Sequence, residues 1–419
     1  MNRNAKFLIG LFAFALALRL VTLVSVLPKL RPDTDPDSYR SLGENLADGR
    51  GFIAVAPNTQ ELRNVARTPV YPFFLAVLMW LGGDRLGLFL TAQCFLGALT
   101  CILTALLAAR WLRPSISLLT GLLVAIDPNS ILRCSDLRTE TLFTLLLLAG
   151  ACLIAWRPNK SWSWFAAGLF WSLAALTRPI AVWIWLVALL ILALSGAGVP
   201  PTNLCRDKFR RSAWFFIIFL VGYFPLEGAW AARNHALTGR CFISTISTYN
   251  LLMYRTAGIK AEQGGETLEE AQQEFRAQYG DIQFVENRER FNQSLHEYQR
   301  IASEELFSTP LVLTKQAVVG AVKLLLGPGV RALDTSLSQT EPSSRWWPPV
   351  YSAALLVVVL LSLLGVKRLE WGSMVPVLLL LYFVALSSGP ESNSRFRVPI
   401  TPLLAVLATA GVCGTEKRE

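Results

Sequence analysis

Apolar residues in this chain come in long unbroken runs separated by short polar gaps. That is neither the period of two of a half-buried strand nor the narrow stripe of a surface helix. A helix needs about 20 apolar residues to cross a bilayer. Runs of this kind, read with their flanks, cover 7–27, 85–109, 114–131, 139–156, 162–177, 179–196, 212–231, 348–366, 374–388 and 397–413, the third and ninth being short. The pattern predicts an all-α polytopic membrane protein of about ten transmembrane helices. The first run superficially resembles a secretory leader. It lacks a convincing small-residue cleavage site and continues into Pro28 and Lys29, so it is read as a retained anchor.

Two stretches break the pattern, 28–84 and 232–347, and they divide the chain. Residues 1–231 form an N-terminal membrane module carrying the first loop (28–84), 232–347 a helical region, and 348–419 the C-terminal membrane helices. Within the first loop, Tyr39, Leu42 and Leu46 share one side of a short helix over 38–48, which Gly49 and Gly51 end. A second short helix starts near Arg67, with Pro69 and Pro72 in its first turn. Residues 266–308 read as a solvated helical pair. The stretch 311–326 is apolar enough to suggest a span, but carries Lys315 and Lys323 eight residues apart; an interfacial amphipathic helix fits better.

Composition agrees. The chain of 419 residues is 53% hydrophobic and 16% charged, with mean hydropathy +0.44. Soluble domains carry about 25% charged residues, so a soluble cytosolic enzyme is excluded. The net charge of +10 first suggests a polyanionic partner, but its distribution argues otherwise. With the amino terminus in the cytoplasm, the segments 1–6, 110–114, 157–160, 197–211, 367–373 and 414–419 lie inside and hold 14 basic and 4 acidic residues, the whole of the excess. The charge is an orientation signal and gives no reason to expect nucleic acid. It places both termini inside and 28–84 and 232–347 outside, provided 311–326 does not cross. The seven Cys are scattered, without CxxC spacing or a disulfide framework, and the two His are too far apart in sequence to suggest a metal site.

The first loop opens with three alternating carboxylates, Asp33, Asp35 and Asp37, just past the first span. Three readings fit: a general base partly desolvated at the membrane surface, a divalent-cation site of Asp33, Asp35 and Asp37 oxygens, or a solvated turn. Arg67, Arg178, Arg233, Arg395 and Arg397 lie near the outer ends of spans, where positive charge is otherwise disfavoured. Such arginines either snorkel to lipid headgroups or hold an anion. Asp136 and Glu140 sit at the outer mouth of the third and fourth spans, in reach of a pairing arginine. Tyr249 and Asn250 either hydrogen-bond a sugar or phosphate or cap a loop.

These strings carry a resemblance. Asp35-x3-Tyr39-x2-Leu42-x3-Leu46-Ala-x-Gly49-x-Gly51-Phe52 is followed by Arg67-x-Pro69-x-Tyr71-Pro72-x2-Leu75-Ala76 and Asp136-x3-Glu140-x2-Phe143. Then come Leu176-Thr177-Arg178-Pro179, Trp230-Ala-x-Arg233-Asn234-x4-Gly239, Ser244-Thr-x3-Tyr249-Asn250-Leu251 and Gly389-x5-Arg395-Phe-Arg397-x-Pro399. Together, in this order, they resemble the membrane glycosyltransferases of the GT-C superfamily, closest to the protein O-mannosyltransferase and aminoarabinose-transferase branch. The resemblance covers most of the chain except about 260–347.

It implies a transferase that moves a sugar from a polyprenyl-phosphate donor to a hydroxyl on a lipid, glycan or protein acceptor. The site would face the periplasm from a bacterial inner membrane. The family's base falls on Asp35, or on Asp37 after a two-residue slip, with Glu140 as a further catalytic position. Donor and phosphate contacts fall on Arg67, Tyr71, Arg178, Arg233, Asn234, Tyr249, Asn250, Arg395 and Arg397. No cofactor is implied: relatives with monophosphate lipid donors generally work without metal, and those transferring oligosaccharides use one. Region 260–347, the least matched part, faces the side where an acceptor would arrive and reads as a specificity element or a lid. A transporter or flippase for a lipid-linked saccharide is the other reading. It would need ionisable residues mid-span, of which Arg19 is the main one.

Overall fold

A computed structural model of the chain describes residues 3–26, 38–55, 61–196, 203–280, 282–329, 347–368 and 374–414. Helices occupy all ten predicted segments. They are α1 (Arg3–Val26), α4 (Leu86–Ala108), α5 (Pro114–Ala125) with the short α6 (Pro128–Leu132), α7 (Glu140–Trp156), α8 (Ser161–Ala175), α9 (Trp185–Gly196), α10 (Asn203–Thr238), α16 (Trp347–Arg368), α17 (Val375–Ser387) and α18 (Thr401–Cys413). Among the described residues, Ala5–Ser25, Leu86–Ala108, Lys208–Thr238 and Trp347–Arg368 are each long and apolar enough to cross a membrane, and most of the others are shorter apolar helices. The chain is an integral membrane protein. The third predicted segment, 114–131, is broken after Ala125, where Asp127 caps α6 by accepting from the Ser130 N–H at 2.8 Å.

Among the described residues the largest apolar core of the bundle runs from Leu23 on α1 to Ala410 on α18, and a second one joins α1, α4 and α5 around Leu11 and Cys101. Lipid provides no hydrophobic drive between helices, so close backbone approach holds them together. Gly168 on α8 and Gly222 on α10 face each other's helix, and a Cβ on either would come within 2.3 Å of a backbone oxygen there. Polar backbone at depth is satisfied by neighbours. The 3-10 turn Pro179–Ala181 interrupts the passage from α8 to α9. Its carbonyls are taken by tyrosines: Tyr382 donates to Ile180 O at 2.6 Å, and Tyr223 to Ala181 O and Val182 O at 3.1 and 2.9 Å. This break presents Arg178.

Over one end of the bundle lies a polar layer. α2 (Tyr39–Ala47) buries Tyr39 and Leu42 as expected, and its end is followed by Gly49 and Gly51 at φ +73° and +92°. It packs on α3 (Val70–Gly82), with Arg40 paired to Asp84. The second long polar region folds into α11 (Ile246–Asn250), a π-turn (Leu251–Thr256), α12 (Ala257–Gly264), α13 (Leu268–Tyr279) and α14 (Arg288–Ser308). Met253, Phe275, Phe291, Leu295 and Tyr298 form its own core. A Thr267–Glu270 capping box starts α13. α14 meets α15 (Pro310–Leu326) at a bend of 95°.

The fold is almost entirely helical, as expected, and the described residues add one small sheet. Strands β1 (Ile53–Val55), β2 (Glu61–Asn64) and β3 (Phe284–Val285) form a small antiparallel sheet in the order β1-β2-β3. Ile53 pairs with Arg63, and Asn64 with Phe284. The sheet joins the first loop to the second long polar region. These strands are too short to carry a periodic signal.

Candidate active site

Three segments distant in sequence meet at one end of the bundle: 133–140, 177–178 and 394–397. Glu140 is the first residue of α7, where the helix dipole favours a carboxylate. Its side chain is 1% exposed; Oε1 lies 2.5 Å from Arg178 Nη1 and 2.6 Å from Arg395 Nε. Arg178 also donates to Thr139 Oγ1 at 3.1 Å and lies over the Phe143 ring. Both guanidiniums flank Phe396, at 5.5 and 5.3 Å from its centroid. Arg395 is positioned by the 3-10 turn Ser394–Arg397, where Asn393 Oδ1 accepts from the Arg395 N–H at 2.9 Å. Asn129 fastens the same turn by donating to Ser394 O at 2.5 Å.

A second carboxylate stands beside the first. Asp136 Oδ2 lies 2.5 Å from Arg133 Nη1 and 3.1 Å from Arg138 Nε, and its Oδ1 is buried without a hydrogen-bond partner. Burial pushes the Asp136 carboxyl up, against the opposing pull of Arg133 and Arg138. The cluster thus holds four guanidiniums against two carboxylates. Arg178 and Arg395 keep 12% and 25% of their side chains exposed, against 1% for Glu140. Cationic edges therefore face outward, and the negative charge faces inward.

Asp33, Asp35 and Asp37, and with them the base and the cation reading, lie outside the described residues. The residue two places on from Asp37 is Tyr39, and it leads back to the cluster. Its ring packs edge-on against Tyr71 at 5.1 Å, and Tyr71 donates to Gln93 Oε1 at 2.8 Å. Gln93 Nε2 in turn donates to Asp136 O at 2.7 Å. Arg67 lies over the Tyr39 ring at 5.4 Å, and the Val70 N–H donates to Leu176 O at 3.1 Å. Tyr71 is fully buried and works as a strut between the first loop and the cluster.

The other expected contacts point elsewhere. Arg233 Nη1 donates to Asn64 O and Asn234 Oδ1, both at 2.8 Å, and its guanidinium stacks on Trp230 at 4.7 Å. Asn234 donates to Phe242 O and Ile243 O. Together they pin α10 to β2 and to the chain that follows. Tyr249 accepts from Arg276 Nη2 at 3.1 Å, and Asn250 is half-buried at the end of α11. Arg397 is fully buried and donates to Leu324 O and Gly327 O at 3.0 and 2.8 Å, closing the C-terminus of α15.

Sequence reading passed over Arg133 and Arg138, although they stand three before and two after Asp136 on the same loop. It also passed over Glu227. This residue sits inside the apolar run of α10, 4% exposed and beside Tyr223, with Oε1 lacking a hydrogen-bond partner. Among the described residues no group of three His, Cys, Asp or Glu could hold a metal ion.

No family model matches the sequence, and no curated protein matches it. Solved structures do match the fold. The oligosaccharyltransferase AglB of the archaeon Archaeoglobus fulgidus, in complex with an inhibitory peptide and a dolichol-phosphate, superposes with TM-score 0.56 at 12% identity, over 97% of this chain and 50% of that one. Its apo form gives the same values. ArnT from Cupriavidus metallidurans bound to undecaprenyl phosphate gives 0.44 at 15% identity, over 97% and 78%. The chain spans about half the length of the archaeal enzyme. Its fold is of the GT-C type found in membrane glycosyltransferases.

Proposed function

We propose that this protein is an inverting glycosyltransferase that moves a sugar from a polyprenyl-phosphate donor to a hydroxyl acceptor at the outer, periplasmic face of a bacterial inner membrane. The observation that carries the reading is the buried Glu140 holding Arg178 and Arg395 side by side at the end of the bundle where the first loop is anchored. In the transfer, the acceptor oxygen forms a bond to the anomeric carbon as the bond from that carbon to the phosphate oxygen breaks. The electron pair leaves on the lipid phosphate and the hydroxyl proton goes to a base.

A lipid phosphate is already a good leaving group. The reaction therefore asks mainly for cations to meet the growing charge, and preorganised donors do this best. Arg178 and Arg395 suit that role, because part of each side chain stays exposed, a guanidinium matches a phosphate well, and Glu140 fixes their spacing. Asp35 is the base, with Asp37 the alternative. Arg67 lies on the route between that loop and the cluster. Glu140 acts as the holder of two arginines, which its burial favours over proton transfer. Arg233, Asn234 and Arg397 build the frame, since their hydrogen bonds go to backbone carbonyls and to each other.

The test is transfer from a labelled lipid-linked sugar in membranes. Asp35→Asn or Asp37→Asn should abolish it; full transfer by both variants would sink the mechanism. Undiminished transfer in chelator would dismiss a cation at Asp33, Asp35 and Asp37. The transport reading now has one residue in its favour, Glu227. If Glu227→Gln stops movement of a lipid-linked saccharide across vesicles while no transfer is detected in the wild type, transport replaces transfer.

A further inference from the structure

At the end of α7 opposite Glu140 the bundle opens into a cleft. Sixteen residues separate the two ends, about 24 Å along the helix axis. The cleft has a volume of about 540 Å³ and lies between α4, α7 and α8, within the roughly 300–1,000 Å³ usual for sites that bury a small ligand. Its wall is aliphatic and aromatic, including Leu106, Leu153, Trp156, Trp162 and Phe170, and its one charged member is Arg157. Trp156 and Trp162 are 40% and 56% exposed, so the indoles stand at the mouth. The Trp156 Nε1–H donates to Leu106 O at 2.8 Å, which fixes one indole across the gap between α7 and α4.

The charge around this mouth is one-sided. The turn between α4 and α5 carries Arg110 and Arg113, and the turn between α7 and α8 carries Arg157 and Lys160, with no acidic residue in either. Arg110 Nε donates to Ala155 O at 3.1 Å, so the two turns are neighbours. Arg157 and Lys160 are exposed. The cluster around Glu140 holds each of its cations close to a carboxylate; the two turns here carry no carboxylate of their own. An apolar slot with a cationic, indole-lined mouth matches an amphiphile with an acyl chain and an anionic head.

We propose that this cleft is a binding site for an anionic glycerophospholipid, with an acyl chain between α4, α7 and α8 and the phosphate at Arg157. Arg157 and Lys160 select the headgroup, and Trp156 and Trp162 hold the glycerol region at the mouth. The site is separate from the Glu140 cluster and shares no residue with it. A lipid seated there touches α4, α7 and α8 together.

Native mass spectrometry of the purified full chain tests this, with phosphatidylglycerol and phosphatidylcholine offered at equal mole fraction. The wild type should keep one phosphatidylglycerol in preference to phosphatidylcholine by roughly fivefold, the ratio expected from one favourable cation near the surface. Arg157→Glu should bring the two lipids to parity. Leu153→Trp, which fills the slot, should lose both adducts; Ala149→Leu is a smaller filling of the same wall should the tryptophan impair folding. Equal retention of the two lipids by the wild type would overturn the proposal, as would wild-type retention by Arg157→Glu. So would one-for-one displacement of phosphatidylglycerol by polyprenyl phosphate, because the cleft would then belong to the sugar donor.

Discussion

Two buried arginines define two kinds of place in this bundle. Arg19 sits in the middle of α1 and is 1% exposed. Its Nη1 donates to Ala15 O and Ala125 O at 3.1 and 3.4 Å, and its Nη2 to Cys101 Sγ at 3.5 Å. The acceptors are backbone and thiol groups that a ligand cannot displace. Arg178 is nearly as buried, yet its partner is a carboxylate, and one edge stays open. The first arrangement turns the terminal nitrogens of a cation to joining helices. The second keeps a cation charged, oriented and reachable, which is what anion binding requires. Depth alone does not mark a functional charge in a membrane protein; the kind of partner does.

Replacing the residues on either side of this comparison should separate them. The largest effect is expected for Arg178→Ala, with a loss of transfer on the order of 10²–10³-fold, as when one preorganised donor to a developing anion is removed. Labelled-donor turnover at saturating acceptor measures it. Glu140→Gln keeps the shape but releases the two arginines from their carboxylate. It should lower turnover by about tenfold through lost positioning and lower the apparent Tm as well, because two guanidiniums lose their buried counter-charge. Arg397→Ala strips the cap from α15 and leaves its last carbonyls unpaired. The apparent Tm should fall by several degrees, for a loss of about 2–3 kcal/mol, and turnover measured well below that temperature should change only a few-fold.

Arg19→Met should have the smallest effect. Exchanging a buried charge for an apolar side chain of similar length is often neutral or stabilising. Turnover is expected within about twofold of wild type and Tm unchanged or higher. A large loss of activity in Arg19→Met, measured in the same assay, would erase the distinction between the two arginines.

The helices were legible because each is a run of apolar residues bounded by Arg, Pro or Gly, and lipid demands that pattern of every spanning helix. Even the helix at Val70–Gly82 was visible from its prolines. The sheet was not, because β1, β2 and β3 have three, four and two residues and β3 pairs with a strand about 220 positions earlier. At the candidate site, Glu140, Arg178 and Arg395 could be named from motifs, and the structure brings those three together. Motifs could not separate them from Arg233 and Arg397, which share the same neighbourhood in sequence but spend their donors on carbonyls. Hydrogen-bond partners decide that, and partners far along the chain leave no local trace. Glu227 was hidden by its surroundings, since one carboxylate barely alters the hydropathy of a long apolar run.

The central claim is that Arg178 and Arg395, spaced by Glu140, receive the donor's phosphate. Equilibrium binding of polyprenyl phosphate itself tests it without needing the sugar or the acceptor. The purified protein should bind the lipid phosphate, and Arg178→Ala/Arg395→Ala should weaken that binding by at least about 10²-fold, the loss of two charge-assisted hydrogen-bonded contacts, while the folded fraction stays the same. Binding by the double variant equal to that of the wild type would contradict the account.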